Sequence, residues 1–249
     1  KLTKEQIIKI CNRNFIGCDQ LIIIETDKSA DAYLKFFNSD GGESGACGNG
    51  TRCVADLISK EIKNKNIVLR TSSGILKSKI LENNIVTTEI GLAKTEWDEI
   101  PLSEKLNTKN LNIKINDKND KEHSGGTAIN VGNPHIIFFV NEINNFDIEK
   151  FGPNIENHKF FPKKCNVTIA QVINKDLIKV KVWERGAGLT KACGTAACAT
   201  AFAARLNNLC NNNTDIEFEN GKLSISIDEK NSIHMKGPVS NIEKIEINL

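Results

Sequence analysis

The order of apolar and polar positions predicts short β-strands along most of the chain. A capping-box pattern at Thr3 and Gln6 predicts a short first helix over Glu5–Ile10. Residues 104–126, rich in Asn, Lys and Asp, are expected to connect two domains and to hold one polar strand. Runs of β-branched residues bounded by turn residues indicate the other strands, which are Leu21–Glu25, Tyr33–Phe37, Ile67–Thr71, Gly74–Ile80, Ile85–Ile90, Thr127–Val131, Ile136–Val140, Val167–Ile173, Leu177–Trp183, Ile216–Glu219, Lys222–Ile227, Ile233–Lys236 and Ile242–Ile247.

Two long helices are predicted, and each begins at an Ala-Cys-Gly sequence. After Cys47 and again after Cys193, apolar residues recur four positions apart. Antiparallel β-strands wrapped around a central helix, occurring twice, predict an α+β fold of two similar, duplicated domains. We expect the first domain over 1–118, completed by a tail strand at 238–249, and the second over 119–237.

Alignment of Cys47 with Cys193 supports the duplication. Asn38 then falls opposite Glu184, nine residues before each cysteine. The identical or similar pairs at this offset are Gly42 with Gly188, Ser44 with Thr190, Ala46 with Ala192, and Gly48 with Gly194. Two Gly-rich loops that lead into two helices through one tripeptide are typical of an internal repeat.

The charge balance and the apolar runs exclude several classes of partner. The 249 residues carry 33 Lys and Arg against 31 Asp and Glu, a net charge of +2, whereas nucleic-acid surfaces are strongly basic. The longest apolar runs, Leu21–Ile24 and Ile136–Val140, are far shorter than the roughly 20 residues that cross a bilayer. Because there is also no secretion signal, we expect a cytoplasmic protein with neither nucleic acid nor membrane as partner.

The eight cysteines are expected to be reduced thiols. In a chain of this length they are no disulfide scaffold, and no Cys-x-x-Cys spacing indicates a metal site. Cys53 and Cys198, further along each helix, are interpreted as packing residues. Cys47 and Cys193 are different because a helix N-terminus lowers the pKa of a cysteine and binds anions.

Two such helix starts aimed at one point would hold a carboxylate between two thiols. One sulfur could remove a proton from the carbon next to the carboxylate, and the other could deliver a proton to the opposite face. No motif for pyridoxal phosphate or a metal is present, so this chemistry would need no cofactor.

The chain resembles the diaminopimelate epimerase family over essentially its whole length. The two signature stretches run from Asn38 to Cys53 and from Trp183 to Thr195. Shorter matches are Gly17-x-Asp19-Gln20, Val131-Gly132-Asn133-Pro134-His135, Phe161-Pro162 with Asn166-Val167, and Gly237-Pro238. The resemblance implies a site in the cleft between two domains, a homodimer, and interconversion of LL- and meso-diaminopimelate in lysine and peptidoglycan precursor synthesis.

The resemblance also implies roles for individual residues. Cys47 and Cys193 would be the acid/base pair. The remaining expected site residues are Gly48, Asn49, Gly194 and Thr195 at the reacting carboxylate, Asn38, Asn133, Asn166 and Arg185 at the distal end, and Gln20, His135 and Glu184 near the reacting centre. Asn133 could instead be only a turn residue, and His135 only a hydrogen-bonded core histidine.

Three features depart from the family pattern. Gly42 stands where the family usually has Ser, and Ala196 where it usually has Gly. The opening Gly-x-Gly-Asn-Asp-Phe motif of the family, with one substrate Asn, is not among the 249 residues. A protein that truly began at Lys1 would be expected to be less stable and less active.

Two alternative functions stay open at this point. A proline or hydroxyproline racemase also pairs two cysteines, although Asn166 and Glu184-Arg185 suit an acyclic substrate with two amino-acid ends better. A non-catalytic or redox-regulated relative could use the same two cysteines as a disulfide.

Overall fold

The structure is a computed structural model, and it describes residues 2–18, 20–45 and 47–247. It divides the chain into one unit of residues 1–89 with 236–249 and a second unit of residues 90–235. The expected boundary at residue 118 therefore lies too far along the chain. The reason is packing: Ile100 and Ile113 are buried in one apolar cluster with Val167.

The first unit is a mixed sheet with one long helix against it. Helix α2 buries Val54 and Ile58 against Leu34, Phe36 and Leu69 of the strands. The strand order is β1-β2-β4-β5-β6, and β3 pairs with β2. The elements of this unit are α1 (Lys4–Cys11), β1 (Gln20–Glu25), β2 (Ala32–Asn38), β3 (Glu43–Ser44), α2 (Gly48–Ile62), β4 (Asn66–Thr71), β5 (Gly74–Ile80) and β6 (Ile85–Leu92).

The capping box predicted for the first helix is confirmed. The Thr3 hydroxyl accepts the Gln6 N–H at 3.3 Å, and the Gln6 side-chain oxygen accepts the Thr3 N–H at 2.9 Å. These bonds satisfy two N–H groups that a helix start leaves unpaired.

The second unit has a larger sheet in the order β16-β15-β14-β12-β11-β10-β9, with β13 beside β12. A separate hairpin joins β7 to β8. The elements are β7 (Ile113–Asn116), β8 (Glu122–Gly125), β9 (Thr127–Asn130), β10 (Pro134–Val140), a 3-10 turn (Ile143–Asn145), α3 (Ile148–Glu156), β11 (Asn166–Asn174), β12 (Leu177–Glu184), β13 (Gly188–Thr190), α4 (Gly194–Leu206), β14 (Asn213–Phe218), β15 (Gly221–Ile227) and β16 (Ser232–Pro238).

Both faces of this second sheet are covered. In β11, Ile169 packs into the cluster that includes α3, and the next residue, Ala170, packs into the cluster around α4. Successive strand residues point to opposite faces, so the two helices lie on opposite sides of β11. This explains why β11 begins as a continuous run of buried residues, since a strand buried on both faces does not alternate.

The two units repeat the same topology. In the first, β2 pairs antiparallel with β1 and β3, and α2 leads to the parallel strand β4. In the second, β12 pairs antiparallel with β11 and β13, and α4 leads to the parallel strand β14. Most strand pairs are antiparallel, as expected, and β4 is parallel to β2 and β14 to β12 because a helix that carries the chain back along the sheet makes the next strand parallel.

The strand registers extend the repeat to single residues. Leu21 pairs with Phe37, and 146 residues later Val167 pairs with Trp183. The register makes Gln20 the counterpart of Asn166 and Asn38 the counterpart of Glu184. The α+β fold of two duplicated units is thereby confirmed.

Some details of the secondary structure differ from the prediction. Helix α3 was not predicted because Gly152 and Pro153 normally interrupt helices; here a Cβ at Gly152 would lie 2.7 Å from the Trp183 ring, so the close packing needs glycine. Residues 104–126 hold two strands, β7 and β8, rather than one.

The predicted C-terminal strand over Ile242–Ile247 is wrong. Residues 239–247 have no regular secondary structure, and Ile242 and Ile245 are 45% and 59% exposed. Val239 does return to the first unit, where it is buried and donates its N–H to the Asn84 carbonyl at 2.9 Å.

Within the part of the chain that the structure describes, no helix is long and apolar enough to cross a membrane.

Candidate active site

Cys47 is the N-cap of helix α2. Its backbone is extended, with φ −144° and ψ 96°, and its Sγ accepts the Gly50 N–H at 3.3 Å. A Cβ at residue 50 would lie only 2.9 Å from this sulfur and would also overlap Ile22. Glycine at position 50 therefore lets the backbone N–H reach the sulfur, and a donated hydrogen bond stabilises negative charge there.

Cys193 is the N-cap of helix α4 and repeats this backbone geometry, with φ −144° and ψ 113°. Its Sγ lies 3.5 Å from the Thr195 Oγ1, and the residue is only 5% exposed, whereas Cys47 is half-buried. The two thiols thus occupy the same place in the repeat but differ in their access to solvent.

Burial raises the pKa of the Cys193 thiol well above its ordinary value, and the nearby Glu184 carboxylate raises it further. Hydrogen bonds from Thr195 and from the Ala196 backbone oppose this rise without cancelling it. The expectation that the helix start lowers the pKa of this cysteine is therefore wrong for Cys193. Desolvation of the thiolate raises the pKa by more than the helix N-terminus lowers it. At neutral pH Cys193 is a thiol that can donate a proton.

The first unit brings four further predicted residues to two places. Gln20 and Asn38 pair across β1 and β2, and the Gln20 Nε2 donates to the Asn38 Oδ1 at 3.0 Å. Gly48 and Asn49 form the first turn of α2, next to Cys47. Asp19 and Ala46, which also belong to the family motifs, lie outside the described residues.

The second unit brings Asn133, His135, Asn166 and Arg185 together through two sets of hydrogen bonds, one between His135 and Asn133 and the other around Asn166. The His135 Nε2 lies 2.8 Å from the Asn133 Oδ1 and 3.5 Å from the Asn166 Nδ2. The Asn166 Oδ1 accepts the Arg185 N–H at 3.0 Å, while its Nδ2 donates to the Pro134 carbonyl at 3.0 Å. Asn166 therefore links strand β10 to the end of β12.

His135 is completely buried, and this burial lowers its pKa to about 3, with a smaller contribution from the positive Arg185. The imidazole is consequently neutral at physiological pH. Neutral imidazole offers one donor and one acceptor, and the acceptor oxygen of Asn133 makes Nε2 the donor. His135 can orient polar groups but carries no positive charge.

Glu184 is the last residue of β12, and Arg185 is the first residue of the turn that follows it. The Thr190 hydroxyl donates to the Glu184 Oε1 at 2.6 Å, and the Arg185 Nη1 donates to the Lys163 carbonyl at 2.9 Å. Gly194 and Thr195 form the first turn of α4 beside Cys193. Glu184 through its charge, and Thr195 through its hydroxyl, act directly on the second thiol.

Two buried charged residues that support these groups were not predicted from the sequence. Glu156 accepts the Trp183 Nε1–H at 2.8 Å and the Gly186 N–H at 3.2 Å, and so anchors both the end of β12 and the turn that begins at Arg185. Arg52 donates to the Asn49 Oδ1 at 3.0 Å. Arg52 occurs in a family motif, which was a usable signal; Glu156 comes from a helix that the sequence did not indicate.

Comparisons with known proteins agree on the family. The model of the family described as diaminopimelate epimerase matches residues 1–96 and 127–242. The diaminopimelate epimerase of Pelagibacter ubique is 68% identical over 248 residues, which cover 100% of this chain and 90% of that protein.

Solved structures share the fold at low sequence identity. A phenazine biosynthesis protein of the PhzF family from Bacillus anthracis has a TM-score of 0.67 at 14% identity, covering 100% of this chain and 90% of that one. A hydroxyproline epimerase from Agrobacterium vitis has a TM-score of 0.67 at 12% identity, covering 94% and 76%. At these identities the likeness concerns the fold alone. On the family match and the full-length similarity, the chain belongs to the diaminopimelate epimerase family and is an isomerase.

Proposed function

We propose that this enzyme interconverts LL- and meso-diaminopimelate by a two-cysteine proton exchange that needs no cofactor. The observation that carries the proposal is the repeat itself: Cys47 and Cys193 occupy the same N-cap position in two units of the same topology. The family membership supplies the substrate class.

The reaction follows from the different surroundings of the two sulfurs. The Cys47 thiolate, stabilised by the Gly50 N–H, takes the proton from the α-carbon, and the electron pair passes toward the carboxylate. The Cys193 thiol then gives its proton to the opposite face of that carbon. Afterwards Cys47 is the thiol and Cys193 the thiolate, so the reverse reaction starts from Cys193, and proton exchange with solvent restores the first state.

The reacting carboxylate gains negative charge during proton removal. Backbone N–H groups of Gly48-Asn49 and Gly194-Thr195 are proposed to hold it, because helix starts present unpaired donors and a positive dipole end. Preorganised donors of this kind stabilise developing charge more than water does.

The distal end of diaminopimelate is a second zwitterion. We assign it to Asn38, Asn133, Asn166 and Arg185, and place Gln20, His135 and Glu184 near the reacting carbon. Amide side chains both donate and accept, which suits an ammonium beside a carboxylate. The Arg185 guanidinium uses Nη1 for the Lys163 carbonyl, and its fork geometry suits a carboxylate held by two parallel bonds.

A deuterium-exchange assay tests this function. LL-diaminopimelate incubated with the enzyme in D₂O should give meso product with deuterium at the inverted carbon, measured by NMR and mass spectrometry. Cys47→Ala and Cys193→Ala should each stop inversion, whereas Cys53→Ser, at an exposed position of the same helix, should not. Inversion of proline instead of diaminopimelate would favour the proline racemase alternative.

A loss of activity that thiol reductants restore, with Cys47 joined to Cys193, would add the redox-regulated alternative. Inversion of diaminopimelate by Cys47→Ala at the wild-type rate would refute the two-cysteine mechanism.

We also propose a cytoplasmic homodimer, as the family resemblance implies. The chain mass is 27.5 kDa, so light scattering should find twice that value for the purified protein. A single chain mass at working concentrations would contradict the homodimer.

A further inference from the structure

Arg52 is a buried cation near the N-terminus of helix α2, where a positive charge is disfavoured. The residue is 5% exposed, and its guanidinium reaches back to the first turn, where Nη1 lies 3.4 Å from the Gly48 carbonyl oxygen. The N-terminus of a helix is the positive end of its dipole, so this position suits anions rather than a second positive group. A buried charge in such a place needs compensation from the groups around it.

The contact with Asn49 determines which way that amide faces. Arg52 Nη2 lies 3.0 Å from the Asn49 Oδ1. A guanidinium has only donors, so the side-chain oxygen of Asn49 must face it, and the NH₂ group must face the opposite direction. Without Arg52, the two ends of the Asn49 amide could exchange places.

We propose that Arg52 is a positioning residue: it holds the Asn49 side chain with its NH₂ group toward the reacting carboxylate and adds positive charge behind the first turn of α2. This inference rests on the proposed role of Asn49. It gives the substrate carboxylate one more fixed donor than the backbone provides, on the Cys47 side.

The second unit makes no such use of its equivalent positions. At the offset of 146 residues, Asn49 corresponds to Thr195 and Arg52 to Cys198. Thr195 lies against the thiol of Cys193 at 3.5 Å, and Cys198 is completely buried. The Arg–Asn pair is therefore a feature of the first unit and not a general requirement of the repeat.

The isosteric variant Asn49→Asp tests the orientation directly. Arg52 would bind one carboxylate oxygen as it now binds Oδ1, but the other oxygen would present an acceptor and a negative charge to the substrate. We expect kcat/KM to fall at least as far as in Asn49→Ala, about tenfold to a hundredfold, with an unchanged or higher melting temperature. Asn49→Asp with wild-type kcat/KM would overturn the proposal.

A double-mutant cycle tests whether Arg52 acts through Asn49. Arg52→Met should lower kcat/KM about as much as Asn49→Ala, and the double variant should be no worse than Asn49→Ala alone. Arg52→Lys, which keeps a charged group with donors only, should recover most of the loss. If the loss of kcat/KM in the double variant equals the product of the two single losses, Arg52 acts independently of Asn49 and supports the fold instead. An Arg52→Lys variant that does not fold would lead to the same conclusion.

Arg70→Met is the matched control in the same unit. Arg70 lies on strand β4 and forms an ion pair with Asp27. The Arg70 side chain is 44% exposed. Its replacement should leave kcat/KM unchanged. If Asn49→Ala has wild-type kcat/KM while Cys47→Ala is inactive, the Arg52 proposal fails and the two-cysteine function stands; a wild-type enzyme that does not invert diaminopimelate refutes the function itself.

Discussion

The two thiol-bearing helix starts have the same backbone and different chemistry. Cys47 is half-buried, and a main-chain N–H at Gly50 bonds to its sulfur. Cys193 is buried, and the Glu184 carboxylate holds its pKa high in addition to burial. Duplication has thus kept the N-cap geometry, while the surroundings of the two sulfurs differ: a backbone N–H reaches the first, and burial together with a nearby carboxylate keeps the proton on the second.

Equivalent side chains show how the difference arises. Asn38 in the first unit corresponds to Glu184 in the second, and Gly50 corresponds to Ala196. A neutral amide replaces a carboxylate, and a glycine replaces an alanine. Such changes alter the charge and packing near each sulfur without altering strand order or register.

The largest expected effect comes from replacing either thiol by a hydroxyl. Cys47→Ser and Cys193→Ser keep the shape, but a hydroxyl holds its proton far more tightly, so each should lower epimerisation by about 10²–10⁴-fold. Elimination from an analogue with a β leaving group needs only one base, so each variant should retain it toward opposite stereoisomers. Near-normal epimerisation by Cys47→Ser in both directions would refute the model of two opposed bases.

Gly50→Ala should be more harmful than its counterpart Ala196→Gly. The added Cβ would press on the Cys47 sulfur and on Ile22, and overpacking typically costs about 1–3 kcal/mol. Ala196→Gly should cost about 1 kcal/mol through helix propensity. Urea unfolding and kcat measure both; equal losses in the two variants would show that the glycine is not matched to the sulfur.

The second unit should lose stability in acid before the first. All four histidines lie in residues 90–235, and burial lowers the pKa of His135 from 6.5 to about 3. The unfolded chain therefore binds this proton first, and the stability that neutral His135 contributes falls as pH drops below 6.5, by about 2 kcal/mol at pH 5.

Urea unfolding at pH 7 and pH 5 measures this loss, which should be smaller in His135→Gln. His234→Gln, at a histidine whose side chain is 34% exposed, serves as the control. An equal loss of stability in wild type and His135→Gln would assign the acid sensitivity to other groups.

The smallest expected effect concerns the charge beside the second thiol. Glu184→Gln keeps the acceptor for the Thr190 hydroxyl but removes the negative charge, so the pKa of Cys193 should fall. The thiolate absorbance of Cys193, taken as the difference from the same variant with Cys193→Ala, should then appear at lower pH. Turnover should fall only modestly, because burial still keeps the thiol protonated. An unchanged titration would show that Glu184 does not act on this sulfur.

Local patterns in the sequence determined the helices that carry the thiols. The Ala-Cys-Gly starts, the apolar spacing after them and the capping box at Thr3 are properties of neighbouring residues, and the structure has all three helices where these patterns predicted them. The internal repeat could also be recognised from the sequence, because equivalent residues keep a constant offset. The family followed from motifs that each lie within a short stretch.

Only the tertiary structure decided the properties that depend on distant residues. The pKa of Cys193 follows from its burial, the boundary at residue 89 from where Ile100 and Ile113 pack, and helix α3 from the fit of Gly152 against Trp183. The parallel strand pairs and the Arg52–Asn49 contact were likewise decided only by the tertiary structure. Local patterns record which conformation a segment prefers, whereas desolvation, packing and side-chain orientation depend on atoms that the fold brings together.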